Sequence, residues 1–153
     1  MALEIERKFL VKDRSYVEMA ISHAEIRQAY ISDNVNGTVR VRVRADRAWL
    51  TVKGANDGAV RHEWEYEIPV ADAEEMARML AGGWSIEKVR YIVKYGAHTW
   101  EVDEFHGRHE GLVVAEVELE SADTGIDMPG FAGEEVTGDP RYYNSVLAGR
   151  REV

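Results

Sequence analysis

The chain contains no cysteine, so neither a disulfide nor a thiolate zinc site can hold it together. It has only three prolines in 153 residues, against 45% hydrophobic residues, which excludes the make-up of a disordered or linker-like protein. No apolar run approaches the ~20 residues that a membrane-spanning helix needs. The opening "MALEIERKFLV" places acids where a secretory leader carries a basic segment and a long apolar one, so a cytoplasmic protein is expected. Positive charge is also in short supply. Nineteen Lys and Arg stand against 28 Asp and Glu, for a net charge of −9. Proteins that bind nucleic acid over their outer surface are usually basic, so neither a stable nucleic-acid partner nor a membrane is expected. The length favours one domain spanning 1–153, and the sequence leaves the oligomeric state open.

Against that acidic background stands "TVRVRVRA" at 38–45. Val39, Val41 and Val43 form one face of a strand, and Arg40, Arg42 and Arg44 the other. Strand-like runs with period-2 alternation recur at about 2–12, 25–33, 37–46, 47–55, 59–69, 85–95, 97–106 and 110–121. Turn-forming "DNVNG", "GANDG", "YGAH" and "HGRHEG" separate several of them. Three helices are expected. The first starts at a Ser15/Glu18 capping box and carries Val17, Ala20, Ile21 and Ala24. The second starts at Asp72/Glu75 and ends at a Gly pair. The third starts at Asp139–Pro140 and runs over about 139–150, with Tyr143, Val146 and Leu147 as its stripe. Residues 122–138 read as loop. The expected class is mainly β (α+β): an eight-stranded antiparallel β-barrel with flanking helices.

The strands sort their charges by sign. Glu4, Glu6 and Lys8 share a face of the first. Arg40, Arg42 and Arg44 lie on the third, Lys53 on the fourth, Glu63, Glu65 and Glu67 on the fifth. Lys88 and Arg90 lie on the sixth, Glu101 and Asp103 on the seventh, Glu116, Glu118 and Glu120 on the eighth. A sheet with one face in water would alternate in the same way, but it would mix signs and use more Ser and Thr. The sharper reading turns the barrel inside out. Apolar faces point outward under helices and loops, and charged faces line a wet tunnel wide enough for a small ligand. Carboxylates two apart on a strand, as in Glu4/Glu6 and Glu116/Glu118, can grip a hard cation, with Asp103 offering a further oxygen. Arginines suit bidentate contacts to phosphate. Carboxylates, a divalent metal and a basic row are together the parts required for phosphoryl transfer. Arg40 and Arg42 would face a polyphosphate, with Arg44 nearer the mouth.

"EIERK" at 4–8 fits the pattern E-x-E-x-K, which alone is common in charged proteins. It is joined in order by "TVRVR", "LTVKG", "EWEYEI", "EKVRY", "WEVDEF", "VAEVELE" and "GDPRYYN". With these the chain resembles, over nearly its whole length, the short bacterial members of the CYTH superfamily, the triphosphate tunnel metalloenzymes. The resemblance implies an eight-stranded tunnel that binds triphosphate substrates with Mg²⁺ or Mn²⁺, two ions being expected with substrate. Glu4, Glu6, Glu116 and Glu118, with Asp103, resemble the metal-binding acids. Lys8, Arg40, Arg42, Lys53, Lys88 and Arg90 resemble the phosphate-binding set, and Glu63 and Glu65 match tunnel-lining acids. Lys8 takes an electrophilic role, beside Glu4 and Glu6, in the expected catalytic set.

Family activities include inorganic triphosphatase, thiamine triphosphatase, class IV adenylate cyclase and RNA 5′-triphosphatase, so fold does not settle reaction. Little sequence is left over for a base or thiamine pocket, which favours inorganic triphosphate, hydrolysed to pyrophosphate and orthophosphate. A non-catalytic polyphosphate or nucleotide sensor is the alternative outside enzymes. His106 and His109 read as exposed turn residues, and His23, His62 and His98 share no ligand spacing. The tryptophans read as packing and the terminal "GRRE" as a solvated tail. No P-loop or Ser/His/Asp arrangement is present.

Overall fold

The computed structural model describes residues 2–149. Among these residues nine strands are present: β1 (Ala2–Val11), β2 (Ser22–Asn34), β3 (Gly37–Arg44), β4 (Arg47–Gly54), β5 (Val60–Ile68), β6 (Ile86–Tyr95), β7 (His98–His106), β8 (Val113–Glu118) and β9 (Ala132–Glu135). Helices α1 (Tyr16–Met19), α2 (Val70–Ala81) and α3 (Asn144–Leu147) join them, with short 3₁₀ turns at Gly107–His109 and Pro140–Tyr142. The sheet runs β5-β4-β3-β2-β6-β7-β8-β1 with every pair antiparallel, and β1 returns to β5 to close an eight-stranded barrel. Closure removes the exposed edges that an open sheet would present. Among the described residues no helix is long and apolar enough to cross a membrane.

The alternation read from the sequence sets the two faces. Outward-pointing Val41 and Val43 of β3 and Ala48 of β4 are buried under Ala73 and Ala77 of α2. On the opposite side Phe9, Val93, Trp100, Val102 and Val117 pack with Tyr16 and with Phe131, which leads into β9. The hydrophobic core therefore lies largely outside the barrel wall. At one end the interior also turns apolar, where Ile86, Phe105 and Val114 pack with Leu10 and with Leu147 and Ala148 at the end of α3. Cover on the outer wall is incomplete. Leu3 of β1 and Tyr66 of β5 are 51% and 59% exposed, so the expected cover of helices and loops does not extend over β5.

Several elements differ from expectation. The first helix is a single turn. Ser15 makes no side-chain cap; its N–H and hydroxyl both donate to Asp13 Oδ1, at 2.9 and 2.6 Å. The chain is already extended at Ala20, and Ile21 and Ala24 belong to the approach and start of β2, which pairs with β6 from Ser22 opposite Ile92 onward. Seven paired residues outweigh the weak local preference for helix. The second helix begins earlier than Asp72, with Pro69 at the N-cap position accepting from the Asp72 and Ala73 N–H groups. It ends as read, at Gly82, whose φ of 74° is left-handed. The third expected helix is broken. Asp139 Oδ1 accepts from the Arg141 N–H to open the 3₁₀ turn, and Tyr143 at ψ 134° separates that turn from the four residues of α3. The proposed end of that helix at residue 150 and the rest of "GRRE" lie outside the described residues. The loop-like stretch 122–138 contains β9, which lies against β1 through Phe9 and Val11.

Candidate active site

The barrel encloses a cavity of about 240 Å³. Pairing places its walls. On β1 and β8, Glu6 faces Glu118 and Lys8 faces Glu116. On β7 and β8, Glu101 faces Glu116. On β3 and β4, Arg40 faces Thr51 and Arg42 faces Trp49. Of the residues singled out in the sequence, Glu4, Glu6, Lys8, Arg40, Arg42, Arg44, Lys53, Glu63, Glu65, Arg90, Glu116 and Glu118 all line this cavity. One glycine is needed for this geometry. At Gly37, φ is 151° and a Cβ would run into the Lys53 carbonyl oxygen, so a side chain there would force β3 away from the strand that carries Lys53.

Lys88 and Asp103 are not on the lining. Both are 2% exposed and sit behind it. Asp103 Oδ1 accepts from Arg90 Nε at 2.7 Å and Oδ2 from Arg90 Nη2 at 2.8 Å. Lys88 Nζ lies 2.6 Å from the same Oδ2. Both oxygens of Asp103, expected among the metal-binding acids, are committed here to buried cations. Lys88, expected to touch phosphate, instead pairs with Asp103 and donates to Asn144 Oδ1 at 3.3 Å. Arg90 is the member of this cluster that reaches the cavity.

The two walls differ in how their charges are compensated. Burial would raise Glu4, but the Lys53 ammonium 2.8 Å away outweighs it and holds the carboxyl below its ordinary value. Glu6 makes no ion pair among the described residues, and Lys53 only partly offsets its surroundings. Burial, then Glu116 and Glu4, push it well above the ordinary range. Burial raises Glu63 and Glu118, in each case with Glu4 adding to the effect. Burial works against Glu116, yet Lys8 brings it down to about 2. The same contact raises Lys8, against its burial. On the cationic wall, burial and then neighbouring Arg40 and Arg90 depress Arg42 to about 9. Burial also lowers Lys88 to about 7. Burial opposes the charge on Asp103, but Arg90 and Lys88 hold its carboxyl far below its ordinary value.

Several buried polar atoms on the basic side have no partner among the described residues. Gln28 Oε1 accepts from Arg42 Nε at 2.7 Å, while Gln28 Nε2 and Arg40 Nε are unsatisfied. Arg40 has a carboxylate, Glu65, only at 3.9 Å, and among the described residues none lies within ion-pair distance of Arg42. Buried donors normally find acceptors, so this wall is built for an anion. Arg44 is exposed at the rim, stacked over Trp49 at 4.9 Å. The sequence reading placed Glu101 on the tunnel face without giving it a role, and it missed Tyr30, Asn56, Arg61 and the Thr137–Ser145 stretch that closes part of the cavity. Glu101 carried the same alternation signal as Asp103. Thr137 carried none, because β9 itself was not legible. His106 and His109 are half-buried rather than free in a turn. His106 pairs with Glu110, and His109 Nε2–H donates to the Leu147 carbonyl.

Comparison with known proteins agrees with this architecture. Residues 2–143 match the CYTH domain. A protein of Acetivibrio thermocellus named inorganic triphosphatase is 48% identical over 147 residues, covering 96% of this chain and 94% of its own length. One of Nitrosomonas europaea with the same name is 35% identical over 150 residues, covering 95% and 96%. The crystal structure of an inorganic triphosphatase superposes with a TM-score of 0.65 at 32% identity, covering 97% of this chain and 95% of that one. On its sequence and on its barrel, the chain belongs to the CYTH family.

Proposed function

We propose that the chain is an inorganic triphosphatase, a single CYTH domain that hydrolyses triphosphate to pyrophosphate and orthophosphate. The observation that carries this reading is the sorted cavity. Arg40 is buried with an unsatisfied Nε, half-buried Arg42 is held only by the neutral amide of Gln28 among the described residues, and a wall of glutamates faces them. Its relatives' names point the same way.

The carboxylate wall fits a divalent cation. Glu4, Glu6, Glu116 and Glu118 are hard oxygen donors, and the raised proton affinity of Glu6 marks a place where negative charge is under-compensated. Among the described residues no three acidic or imidazole groups already converge on one point, so these side chains would draw together on binding Mg²⁺ or Mn²⁺. A cation held there would neutralise phosphate charge and polarise a phosphoryl oxygen.

The chain's own residues do the rest. Arg40, Arg42 and Arg90 would take the phosphate oxygens through charge-assisted hydrogen bonds, while Lys53 keeps Glu4 ionised. Water adds to the terminal phosphorus as the bridging P–O bond breaks, and pyrophosphate leaves with the bridging oxygen. Lys8, charged and held beside Glu116, would offset the charge that develops on that oxygen. Asp103 holds Arg90 and Lys88 in place from behind.

The test is product analysis after incubation with Mg²⁺ and, separately, tripolyphosphate, ATP and thiamine triphosphate. Orthophosphate plus pyrophosphate from tripolyphosphate, at the highest rate of the three, is expected. Cyclic AMP from ATP, faster turnover of thiamine triphosphate, or binding without turnover would refute the reading.

A further inference from the structure

β1 has a break in its ladder beside the cavity. Its residues Ala2–Ile5 pair with β5, the Glu6 N–H donates to the Ala59 carbonyl just ahead of β5 at 2.9 Å, and Phe9 and Val11 pair with β9, so Lys8 has no strand on that side. The segment that follows β9 fills the gap. The Lys8 N–H donates to Thr137 Oγ1 at 2.9 Å, the Val136 N–H donates to the Lys8 carbonyl at 2.8 Å, and Lys8 Nζ donates to the Tyr142 carbonyl at 3.0 Å. One short segment thus holds Lys8 at its amide, its carbonyl and its ammonium. The Thr137 hydroxyl is itself fixed. It donates to Glu135 Oε2 at 2.7 Å, and Glu135 grips the guanidinium of Arg7, the residue before Lys8, at 2.9 and 2.6 Å. With its proton committed to Glu135, the oxygen presents a lone pair to the Lys8 amide.

We propose that Thr137 is a positioning residue for Lys8. In this role the segment Val136–Tyr142 acts as a strap that sets where the lysine ammonium stands in the cavity. The inference rests on the triphosphatase reading. The physical need is plain. A lysine ammonium rides on four rotatable carbons, and an error of about 1 Å in a reacting group costs on the order of 100-fold in rate. Thr137 lines the cavity but acts through Lys8.

The experiment is steady-state hydrolysis of tripolyphosphate with Mg²⁺ by the wild type, Thr137→Val, Thr137→Ser, Lys8→Ala and the Lys8→Ala/Thr137→Val double variant, with a melting curve for each. Valine keeps the shape and removes the hydroxyl; serine keeps the hydroxyl. Thr137→Val should lower kcat about tenfold with KM moving less than about threefold, the pattern of an interaction lost in the transition state. Thr137→Ser should recover most of that loss. In the Lys8→Ala background, followed over long incubations, the valine substitution should change the residual rate by less than about twofold, because the residue it acts through is gone. If Thr137→Val does not fold, Thr137→Ala takes its place in the same comparison. An undiminished kcat in the hydroxyl-free variant, or the same tenfold loss added on top of Lys8→Ala, overturns the inference while leaving the triphosphatase reading standing. A wild type that releases no orthophosphate overturns both.

Discussion

Arg40 and Arg42 differ from the arginines outside the barrel in what compensates them. Arg14, on the outer surface, keeps a 69% exposed side chain beside Glu104, and water does most of the work. Arg40 is 6% exposed with an unsatisfied Nε. Arg42 answers to one neutral amide, and its proton affinity is already depressed to about 9. Each is short of hydrogen-bond acceptors that a phosphate would supply. Arg40→Ala and Arg42→Ala should each forfeit a charge-assisted contact of ~1.5–3 kcal/mol. In kcat/KM for tripolyphosphate that is a fall of roughly 10- to 150-fold. Arg14→Ala should stay within about twofold of the wild type. Equal effects of all three substitutions would mean that the arginine row does not face substrate. This much of the site was legible because a strand's side chains alternate strictly: once Val39, Val41 and Val43 are assigned outward, Arg40 and Arg42 must point in. Alternation gives the face of a strand, not the depth along the barrel. Lys88 and Asp103 were therefore placed on the correct side but in the wrong layer, behind the lining rather than on it.

Between elements, Asp103 is the tie between β6 and β7. It sits opposite Arg90 in the ladder and satisfies Arg90 and Lys88 together, all three being almost fully buried. Replacing the carboxylate by an amide of the same shape leaves buried Lys88 without its counter-ion and Arg90 with Glu101 alone, at 3.1 Å. Breaking a buried pair in this way typically costs ~3–5 kcal/mol. Asp103→Asn should accordingly lower the melting temperature by roughly 6–20 °C, at about 2–4 °C per kcal/mol for a chain of this size. The loss should appear equally in EDTA. A variant destabilised only when Mg²⁺ is present would put Asp103 in the metal-binding set. The elements themselves were legible where local pattern and long-range pairing agree. All eight barrel strands were found from alternation and turn residues, with β2 longer and β8 shorter than read. Two of the departures, the first helix and β9, have one physical origin. "YVEMAISHA" carries helical spacing, but pairing with β6 captures it from Ser22 onward. "AGEE" of β9 carries no alternation, and only the free stretch of the β1 edge makes it a strand. Neither partner is visible in the local sequence, and the consequence reaches the site, since the Thr137 contact to Lys8 depends on β9 lying where it does.

At the scale of the whole molecule, the barrel holds like charges together and should register that in its pH dependence. Glu6, Glu63 and Glu118 bind protons more tightly folded than unfolded. Raised carboxyls stabilise the fold while protonated, and that contribution is lost as pH climbs from their ordinary value of 4.5 through the raised folded values. Glu4, Asp103 and Glu116 have the opposite sign. Their contribution is present above the ordinary range and lost as pH falls through the depressed folded values, about 2 for Glu116. Lys88, lowered to about 7 from 10.5, adds stability only as pH rises above 7. Between about 4.5 and 7 the raised carboxyls therefore set the slope, and the metal-free protein in EDTA should lose stability across that interval. Mg²⁺ with a non-hydrolysable imido analogue of triphosphate compensates both walls at once, so the decline should flatten. At pH 7 and ~100 times the dissociation constant, binding to the folded state alone should add about 2.7 kcal/mol. At about 2–4 °C per kcal/mol, that is a rise in melting temperature of roughly 5–11 °C. The control is magnesium sulfate at the same ionic strength, which screens surface charge equally but cannot bridge the two walls. Melting curves that coincide in analogue and sulfate from pH 5 to 7 would mean that the charges of the barrel interior do not act together as one site.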